Sequence, residues 1–248
     1  MTAGRLLEVE GLGKRFGSLI VNDDISFDLG ADEALGVVGP NGAGKSTMLN
    51  LLSGTVQADH GVVRFAGRDL AGVPASERCR EGLGRTYQVP RPFGGLSVFE
   101  NVLAAASAGA GLRGSVAHTA AVGALTRAGL LDRANQQAAT LMLLDRKRLE
   151  VARALATSPR LILLDEVGGG LTEPELVVLI ELVKDLRAGG VAVIWIEHIV
   201  HALLQVVDQL LCLSYGRVLA YGEPAEVMAS KEVRNVYLGE SFPDDVPA

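Results

Sequence analysis

The chain has 248 residues, of which 48% are hydrophobic, so it is long enough for one large domain or two modest ones around a filled core, and disorder is excluded. The formal charge of -6, with Arg and Lys scattered along the chain, gives no basic footprint and argues against a nucleic-acid partner. Cys79 and Cys212 form neither a metal-ligand spacing nor a disulfide framework, which favours a reducing cytoplasm.

Apolar runs along the chain are short. The longest are short pieces such as Val191 to Ile196, whereas a helix that spans a bilayer needs about 18 to 20 apolar residues. The opening "MTAGRLLEVE" lacks the apolar core of a signal peptide. We therefore expect a chain that does not cross a membrane, although it could dock on one.

The first third of the chain predicts short strands around one strand, loop and helix unit. The candidate strands are "LLEVEGL", "ISFDL", "EALGVVG" and "GVVRFAG". The segment "GKSTMLNLLSG" predicts a helix with Leu49 and Leu52 on its apolar face and Gly54 at its end.

The middle of the chain changes character. From about Pro90 to Thr140 it is rich in Ala, Gly and Leu and poor in β-branched residues, which predicts an insertion of helices joined by glycine hinges. The next stretch, "LMLLDRKRLEVARAL", begins apolar and turns basic at Asp145, with apolar residues recurring at helical spacing. An apolar segment placed directly against charge needs a functional explanation.

Alternation of strand and helix resumes after this stretch. "RLILLDE" predicts a buried strand, and Thr172 with Glu175 forms a capping box for the helix "PELVVLIELVKDLRA". Gly189 and Gly190 end that helix before the strand "VAVIWIEH". Continuous apolar strands joined through a helix imply a parallel sheet covered on both faces. We expect the tail "FPDDVPA" to be frayed, and we find no tandem repeat.

The segment "GPNGAGKS" fits the phosphate-loop pattern G-x-x-x-x-G-K-[ST] between a strand and a helix. Its glycines let successive N–H groups face phosphate oxygens, while Lys45 neutralises the β and γ phosphates and Ser46 ligates Mg²⁺. The alternative is a plain glycine-rich turn, but such a match arises by chance in only roughly 1% of chains of this length. The residues predicted to contact the nucleotide here are Gly39, Pro40, Asn41, Gly42, Ala43, Gly44, Lys45, Ser46 and Thr47.

The second motif is an acidic pair that ends the strand "LILLDE". We expect Asp165 to hold Mg²⁺ through its water shell and Glu166 to accept a proton from the attacking water. Because ligands gather at the carboxyl ends of strands in open α/β sheets, Asp165 and Ser46 should share one crevice. The alternative is an acidic pair that merely ends a buried strand.

Together with "RLEVARAL" just before the acidic strand, these motifs make the chain resemble the ATP-binding subunit of ABC transporters over nearly its whole length. Within that family, "GLGRTYQVPRPFGGLSVFENVL", "LDEVGGGLTEPE", "IEHIVHAL" and "YGEPAEVMASKEVRNVYLGE" most resemble the branched-chain amino acid importer type. The resemblance implies an α/β fold, a P-loop NTPase (RecA-like) core with an N-terminal antiparallel β subdomain and an inserted α-helical subdomain. It implies a single ABC ATPase domain, 1–248, with core and β subdomain in 1–89 and 156–248 and the helical insertion in 90–155.

The resemblance also assigns roles to three further residues. Gln88 matches a glutamine that senses Mg²⁺ and the γ phosphate, and His198 matches a switch histidine that contacts the γ phosphate. Phe16 matches the aromatic that stacks on adenine, although packing in the core is an equally good explanation from the residues alone. Without the resemblance, Gln88 is an ordinary exposed glutamine and His198 a polar residue at a strand end. The remaining histidines, His60, His118 and His201, match nothing and are expected to be structural.

The sequence departs from the family pattern at its signature segment. The serine and glycine that donate to the γ phosphate of the opposite subunit's ATP are replaced by Met142 and Leu144. Losing one hydrogen bond to a charged phosphate costs about 1.5 to 3 kcal/mol. Thr172 stands where many of these ATPases have Asp, and Val167 replaces the usual proline. We hypothesise a partner ATPase with an ordinary signature; the rival account is productive use of backbone N–H groups in this segment.

The resemblance therefore implies an ATPase that uses ATP and Mg²⁺ to move membrane permease subunits from the cytoplasmic face of the membrane. Its expected partners are those permeases, a second ATPase subunit in a homo- or heterodimer and, indirectly, an extracytoplasmic solute-binding protein, with no nucleic acid. Import of branched-chain or related amino acids is the first expectation. The alternatives are the ATPase of a lipid or lipopolysaccharide exporter, or a soluble non-transport ABC ATPase.

Overall fold

The computed structural model describes residues 5–238 and contains two β-sheets flanked by helices. The strands are β1 (Arg5–Phe16), β2 (Leu19–Gly30), β3 (Ala34–Val38), β4 (His60–Phe65), β5 (Arg68–Asp69), β6 (Leu83–Arg85), β7 (Leu161–Asp165), β8 (Ala192–Ile196), β9 (Gln209–Ser214) and β10 (Arg217–Gly222). The helices are α1 (Lys45–Ser53), α2 (Ala75–Arg80), α3 (Val98–Ala104), α4 (Gly114–Arg127), α5 (Leu143–Leu155), α6 (Glu173–Ala188), α7 (Val200–Leu203), α8 (Pro224–Ala229) and α9 (Lys231–Leu238).

The first sheet is antiparallel and four-stranded, in the order β2-β1-β4-β5. Its first two strands are longer than the sequence predicts, because the register shifts between Val9 and Leu12 let β1 continue through a glycine-containing stretch. Gly11 takes the left-handed backbone there, with φ of 58°. The N-terminal antiparallel subdomain expected from the resemblance is therefore present.

The second sheet has six strands in the order β10-β9-β3-β8-β7-β6. The five strands from β9 to β6 are parallel, and β10 adds an antiparallel edge. Every residue of β3, β7 and β8 is buried, which explains their continuous apolar sequences. The predicted parallel sheet covered on both faces is confirmed, and the antiparallel edge strand adds to it.

The two faces of β7 belong to two different hydrophobic cores. Ile162 and Leu164 lie in the core formed with α5 and α6. Leu161 and Leu163 lie in the core shared with α1 and the antiparallel sheet. The alternation follows from the period of two along a strand, and it places the end of β7 between the two layers.

Helices fill the region between β6 and β7, as the composition predicts. Ser97 and Glu100 form a capping box that begins α3, and a π-helical turn at Ala105–Gly109 follows it. Short 3-10 turns at Leu131–Arg133 and Ala138–Thr140 lead into α5. Residues of α3, α4 and α5 share one core with the sheet face described above. The exact boundaries of the insertion, 90–155, stay a prediction.

The predicted ends of two helices are confirmed. Gly54 follows α1 in the left-handed backbone, with φ of 76°. Thr172 and Glu175 form the predicted capping box of α6. The tail "FPDDVPA" lies outside the described residues. Among residues 5–238, no helix is both long and apolar enough to span a membrane.

Candidate nucleotide-binding site

The loop between β3 and α1 depends on glycines at two positions. A Cβ on Gly39, where φ is 144°, would lie 2.1 Å from the carbonyl oxygen of Leu213. A Cβ on Gly44, where φ is 98°, would lie 2.5 Å from the carbonyl oxygen of Val21. Both glycines therefore let the loop pass close to neighbouring backbone, which an L side chain would prevent.

Lys45 is the first residue of α1 and lies across this loop. Its Nζ donates to the carbonyl oxygens of Gly39 at 2.6 Å and Pro40 at 3.0 Å, and the side chain is buried. The ammonium thus lies inside the curl of the loop. The N-terminal end of α1 faces the same space, and a helix N-terminus favours anions.

The structure brings the phosphate loop and the acidic strand end together, as the sequence predicts. The Ser46 hydroxyl, at the start of α1, donates to Oδ1 of Asp165, at the end of β7, over 3.5 Å. Burial raises the pKa of Asp165, and the neighbouring Arg85 guanidinium opposes this rise. A hydroxyl beside a carboxylate is the hard oxygen donor set that Mg²⁺ prefers, so these residues fit the implied ion.

Arg85 is a site residue that the sequence does not reveal. Its NH2 group donates to Oδ2 of Asp165 at 3.2 Å, and its NH1 group donates to Asn50 and Ser53 on α1. The pair is buried, with side-chain exposure of 8% for Arg85 and 7% for Asp165. Arg85 therefore holds one carboxylate oxygen of Asp165 and leaves the other towards Ser46.

The three predicted catalytic residues also converge. His198 Nε2 lies 2.8 Å from Oε1 of Glu166, and the Gln88 amide donates to Oε2 of the same carboxylate. Gln88 and His198 are exposed, whereas Glu166 is only partly exposed. Glu166 also has a left-handed backbone, with φ of 47°. The carboxylate is therefore fixed from two sides at a solvent-accessible edge of the sheet.

Phe16 ends β1 and is 50% exposed, so it does not pack in the core. Lys14 Nζ lies 5.4 Å from the centre of its ring. Adenine stacking on this half-exposed ring stays a prediction. Of the histidines left as structural, His118 packs against Phe99 with ring centres 5.0 Å apart, and His201 lies 3.5 Å from Glu173 at the surface.

The altered signature segment forms the N-terminal end of α5. Met142 is the N-cap residue and is 74% exposed, Leu143 is 42% exposed, and no side chain caps the helix. Leu141 is buried, and Asp145 is buried in ion pairs with Arg133 and Arg148. The tip of α5 is therefore an exposed apolar surface above a buried, charged anchor.

A glycine-rich loop between a parallel strand and a helix, facing an acidic strand end with a fixed glutamate, defines a P-loop ATPase cassette. The family model for the ABC transporter matches residues 22–168, and that for the branched-chain amino acid ATP-binding cassette transporter matches residues 217–243. The chain therefore belongs to the ABC transporter family, as one of its ATP-binding, ATP-hydrolysing subunits. The predicted family, fold class and ATPase activity are confirmed at this level.

Curated relatives align with nearly the whole chain. The high-affinity branched-chain amino acid transport ATP-binding protein LivG of Salmonella typhimurium is 35% identical, covering 95% of this chain and 98% of LivG. The lipopolysaccharide export system ATP-binding protein LptB of Acidithiobacillus ferridurans is also 35% identical, covering 96% and 98%. A crystal structure of an ABC transporter ATP-binding cassette in its ADP conformation superposes with a TM-score of 0.87 at 27% identity, covering 96% and 100%.

Proposed function

We propose that this chain hydrolyses ATP to power the import of branched-chain or related amino acids through separate membrane permease subunits. The supporting observation is full-length similarity to LivG, together with the match of residues 217–243 to the branched-chain transporter family. An extracytoplasmic solute-binding protein delivers the substrate to the permeases, so it acts with this chain only indirectly. The cassette itself lies on the cytoplasmic face of the membrane, with the helical insertion, 90–155, towards the permeases.

A transport measurement tests this proposal. Cells that lack the subunit should lose most of their uptake of labelled leucine, isoleucine and valine. The wild-type chain should restore uptake, whereas Lys45→Ala should not, since it lacks the ammonium inside the phosphate loop. Uptake of labelled phosphate serves as the control and should stay unchanged. Normal leucine uptake in cells without the subunit would contradict the proposal.

Lipopolysaccharide export is the second candidate, because LptB is as similar to this chain as LivG is. The same deletion distinguishes the two functions. A lipid-export ATPase would leave amino acid uptake intact and cause lipopolysaccharide to accumulate in the inner membrane. Copurification of the tagged chain with lipid-export components would support this second candidate. A soluble, non-transport ABC ATPase would affect neither measurement.

The nucleotide site supports specific roles. The backbone N–H groups of residues 39–47 and Lys45 neutralise phosphate charge, and Phe16 stacks on adenine. Ser46, Asp165 through water, and Gln88 would hold Mg²⁺. When bound, the ion withdraws charge from the phosphate oxygens. Glu166 accepts the proton of the attacking water. Gln88 and His198 each orient one oxygen of the Glu166 carboxylate.

A second ATPase subunit is the proposed partner within the transporter. The exposed Met142 and Leu143 leave the tip of α5 without a side-chain donor for a γ phosphate held by another subunit. We therefore propose a heterodimer, in which an ordinary signature on the partner completes the ATP site of this chain. The ATP site of this chain then hydrolyses ATP strongly, and the ATP site of the partner, which faces the altered signature segment of this chain, hydrolyses it weakly. The direct test compares the rate of ATP hydrolysis by this subunit alone with the rate of the mixture of this subunit and its partner. Full activity of the isolated subunit would contradict the proposal.

A further inference from the structure

Two buried charged residues lie directly beneath the proposed base Glu166. Lys147 on α5 is 4% exposed, and Glu197, which follows β8, is 2% exposed. Neither residue belongs to the nucleotide site, and the sequence motifs assign them no role. Because burying a charge is costly unless it is compensated, this placement calls for an explanation.

The first contact joins Lys147 to the backbone of the base. Lys147 Nζ donates to the carbonyl oxygen of Glu166 at 3.3 Å, and the N–H of Gly169 donates to the same oxygen at 3.3 Å. The N–H of Glu166 donates to Ile196 at 3.0 Å. A left-handed glutamate is a strained residue, and such residues persist only where the surroundings hold them in place.

The second set of contacts joins Glu197 to both flanks of the base. Its Oε1 accepts from the N–H of Gly168 and, at 3.3 Å, from Trp195 Nε1, and its carboxylate also accepts from the backbone N–H of His198. A Cβ at Gly168 would lie 2.9 Å from Glu197 Oε1, so any larger residue there would push the carboxylate away from its present position. Glu197 thus fixes the segment after Glu166 and the backbone of the histidine that contacts it.

The two residues also compensate each other's charge. Burial lowers the pKa of Lys147, and the carboxylates of Glu197 and Glu166 oppose this. Burial raises the pKa of Glu197, and the Gly168 hydrogen bond and the Lys147 charge oppose that rise. Opposite charges placed in the same buried layer offset part of the desolvation cost of each. Removing one would leave the other poorly compensated.

We propose that Lys147 and Glu197 are positioning residues that hold Glu166 in its catalytic geometry and connect it to α5, the helix whose tip carries Met142. A displacement of α5 is then transmitted through Lys147 to the backbone of Glu166. This inference rests on the proposed role of Glu166 as the base. It gives the altered tip of α5 a direct connection to hydrolysis within its own subunit.

The test compares Lys147→Met with Lys184→Met in the complete chain, mixed with its partner ATPase. Lys184 is an exposed lysine of α6 paired with Glu181, so its loss should leave kcat unchanged. Lys147→Met should lower kcat by about 10- to 100-fold, because small misplacements of a catalytic group cost this much. The KM for ATP should stay within about threefold, since the phosphate loop is untouched. A merely structural role would instead raise the KM for ATP as kcat falls. The melting temperature does not distinguish the two roles, because the variant leaves buried Glu197 without its counter-charge in either case.

Glu166→Gln distinguishes the role of Glu166 as the base from the positioning role of Lys147 and Glu197. It should abolish hydrolysis and retain ATP binding; if it stays active, the role of Glu166 as the base fails. If Glu166→Gln is inactive but Lys147→Met hydrolyses ATP normally, only the positioning role fails. Should Lys147→Met not fold, Glu197→Gln replaces it, because the amide oxygen can still accept from Gly168. A kcat reduced by about 3- to 10-fold at constant KM supports the inference, and a wild-type kcat overturns it.

Discussion

At the scale of single residues, Phe16 and Phe93 make an instructive pair. Each is about half exposed, at 50% and 54%, and each has a cation over its ring, Lys14 for Phe16 and Arg153 for Phe93. Only Phe16 matches the family position that stacks on adenine. Their similar surroundings make Phe93 a control for what an exposed aromatic ring does without a base beside it.

Phe16→Ala should weaken ATP binding by about 5- to 150-fold, because stacking of a base on an aromatic side chain is worth about 1 to 3 kcal/mol. The melting temperature of the nucleotide-free protein should change little, since the ring is half exposed and adds little to the core. Calorimetric titration with a non-hydrolysable ATP analogue measures the affinity. Phe93→Ala should bind the analogue as the wild type does, and an equal loss in both variants would contradict the stacking role.

The sequence predicts where a residue lies when a local pattern contains it; the roles of the site residues stay predictions. Lys45 and Ser46 follow from one contiguous loop, and Asp165 follows from the end of an apolar strand. Arg85 illustrates the limit, because its partner Asp165 lies 80 positions away and no local spacing announces the ion pair. Lys147 and Glu197 are not predicted either, for the same reason. Lys147 contacts the carbonyl of Glu166, and Glu197 contacts the N–H of Gly168, so neither contact follows from the residues next to it in the sequence.

At the scale of elements, Arg78 fastens the end of α1 to α2. The guanidinium is buried and donates to the carbonyl oxygens of Leu51 and Leu52, both at 2.8 Å, and to Leu70 at 2.7 Å. The last carbonyls of a helix lack partners within it. Gly54 N–H already donates to Leu51 and Val73 N–H to Leu70, so Arg78 adds a charged donor to these two groups and supplies one to Leu52. The helix that carries Lys45 at its start is thereby anchored at its end.

Arg78→Met should reduce the free energy of unfolding by about 2 to 4 kcal/mol, because buried carbonyl groups lose charged donors. Urea denaturation measures this loss, followed by the fluorescence of Trp195, the only tryptophan and fully buried. Arg80→Met on the same helix removes an exposed arginine and is the matched control, with an expected change below about 0.5 kcal/mol. Equal stability of Arg78→Met and the wild type would show that the clamp is dispensable.

Element ends were well predicted where caps are local, as at Gly54 and at the capping box of Thr172. Strand lengths in the first sheet were not, because β1 extends to Phe16 through register shifts that depend on its pairing with β2. Such pairing is a long-range property that a local pattern does not contain. The altered signature was visible in the sequence, yet only the structure shows Met142 exposed while Asp145 is buried below it.

At the scale of the whole molecule, the wide sheet divides the interior into two cores, and α5 lies in the one that also contains α3 and α4. The apolar strands predict a sheet covered on both faces, but not the antiparallel edge strand β10. That strand pairs with β9 through the two-residue turn Tyr215–Gly216, whose left-handed backbone is a hairpin signal separate from the apolar pattern. This layout places Glu166, the proposed base, between the sheet and a helix whose tip is exposed. The composition of that tip therefore bears on the activity of an assembled pair.

Hydrolysis by this subunit alone should be slow, and mixing it with a partner that carries an ordinary signature should raise the rate. Met142→Ser combined with Leu144→Gly should raise the rate of the isolated subunit by about 10-fold or more, because a hydrogen bond to a charged group is worth about 1.5 to 3 kcal/mol. The fold should tolerate the change, since Met142 has an extended backbone at an uncapped N-cap position, where serine gains about 1 kcal/mol. That gain offsets the roughly 1 kcal/mol that glycine costs within a helix. Met142→Ala with Leu144→Gly removes the same bulk without adding a donor, so an equal rate in this control, or full activity of the wild-type subunit alone, contradicts the asymmetric pair.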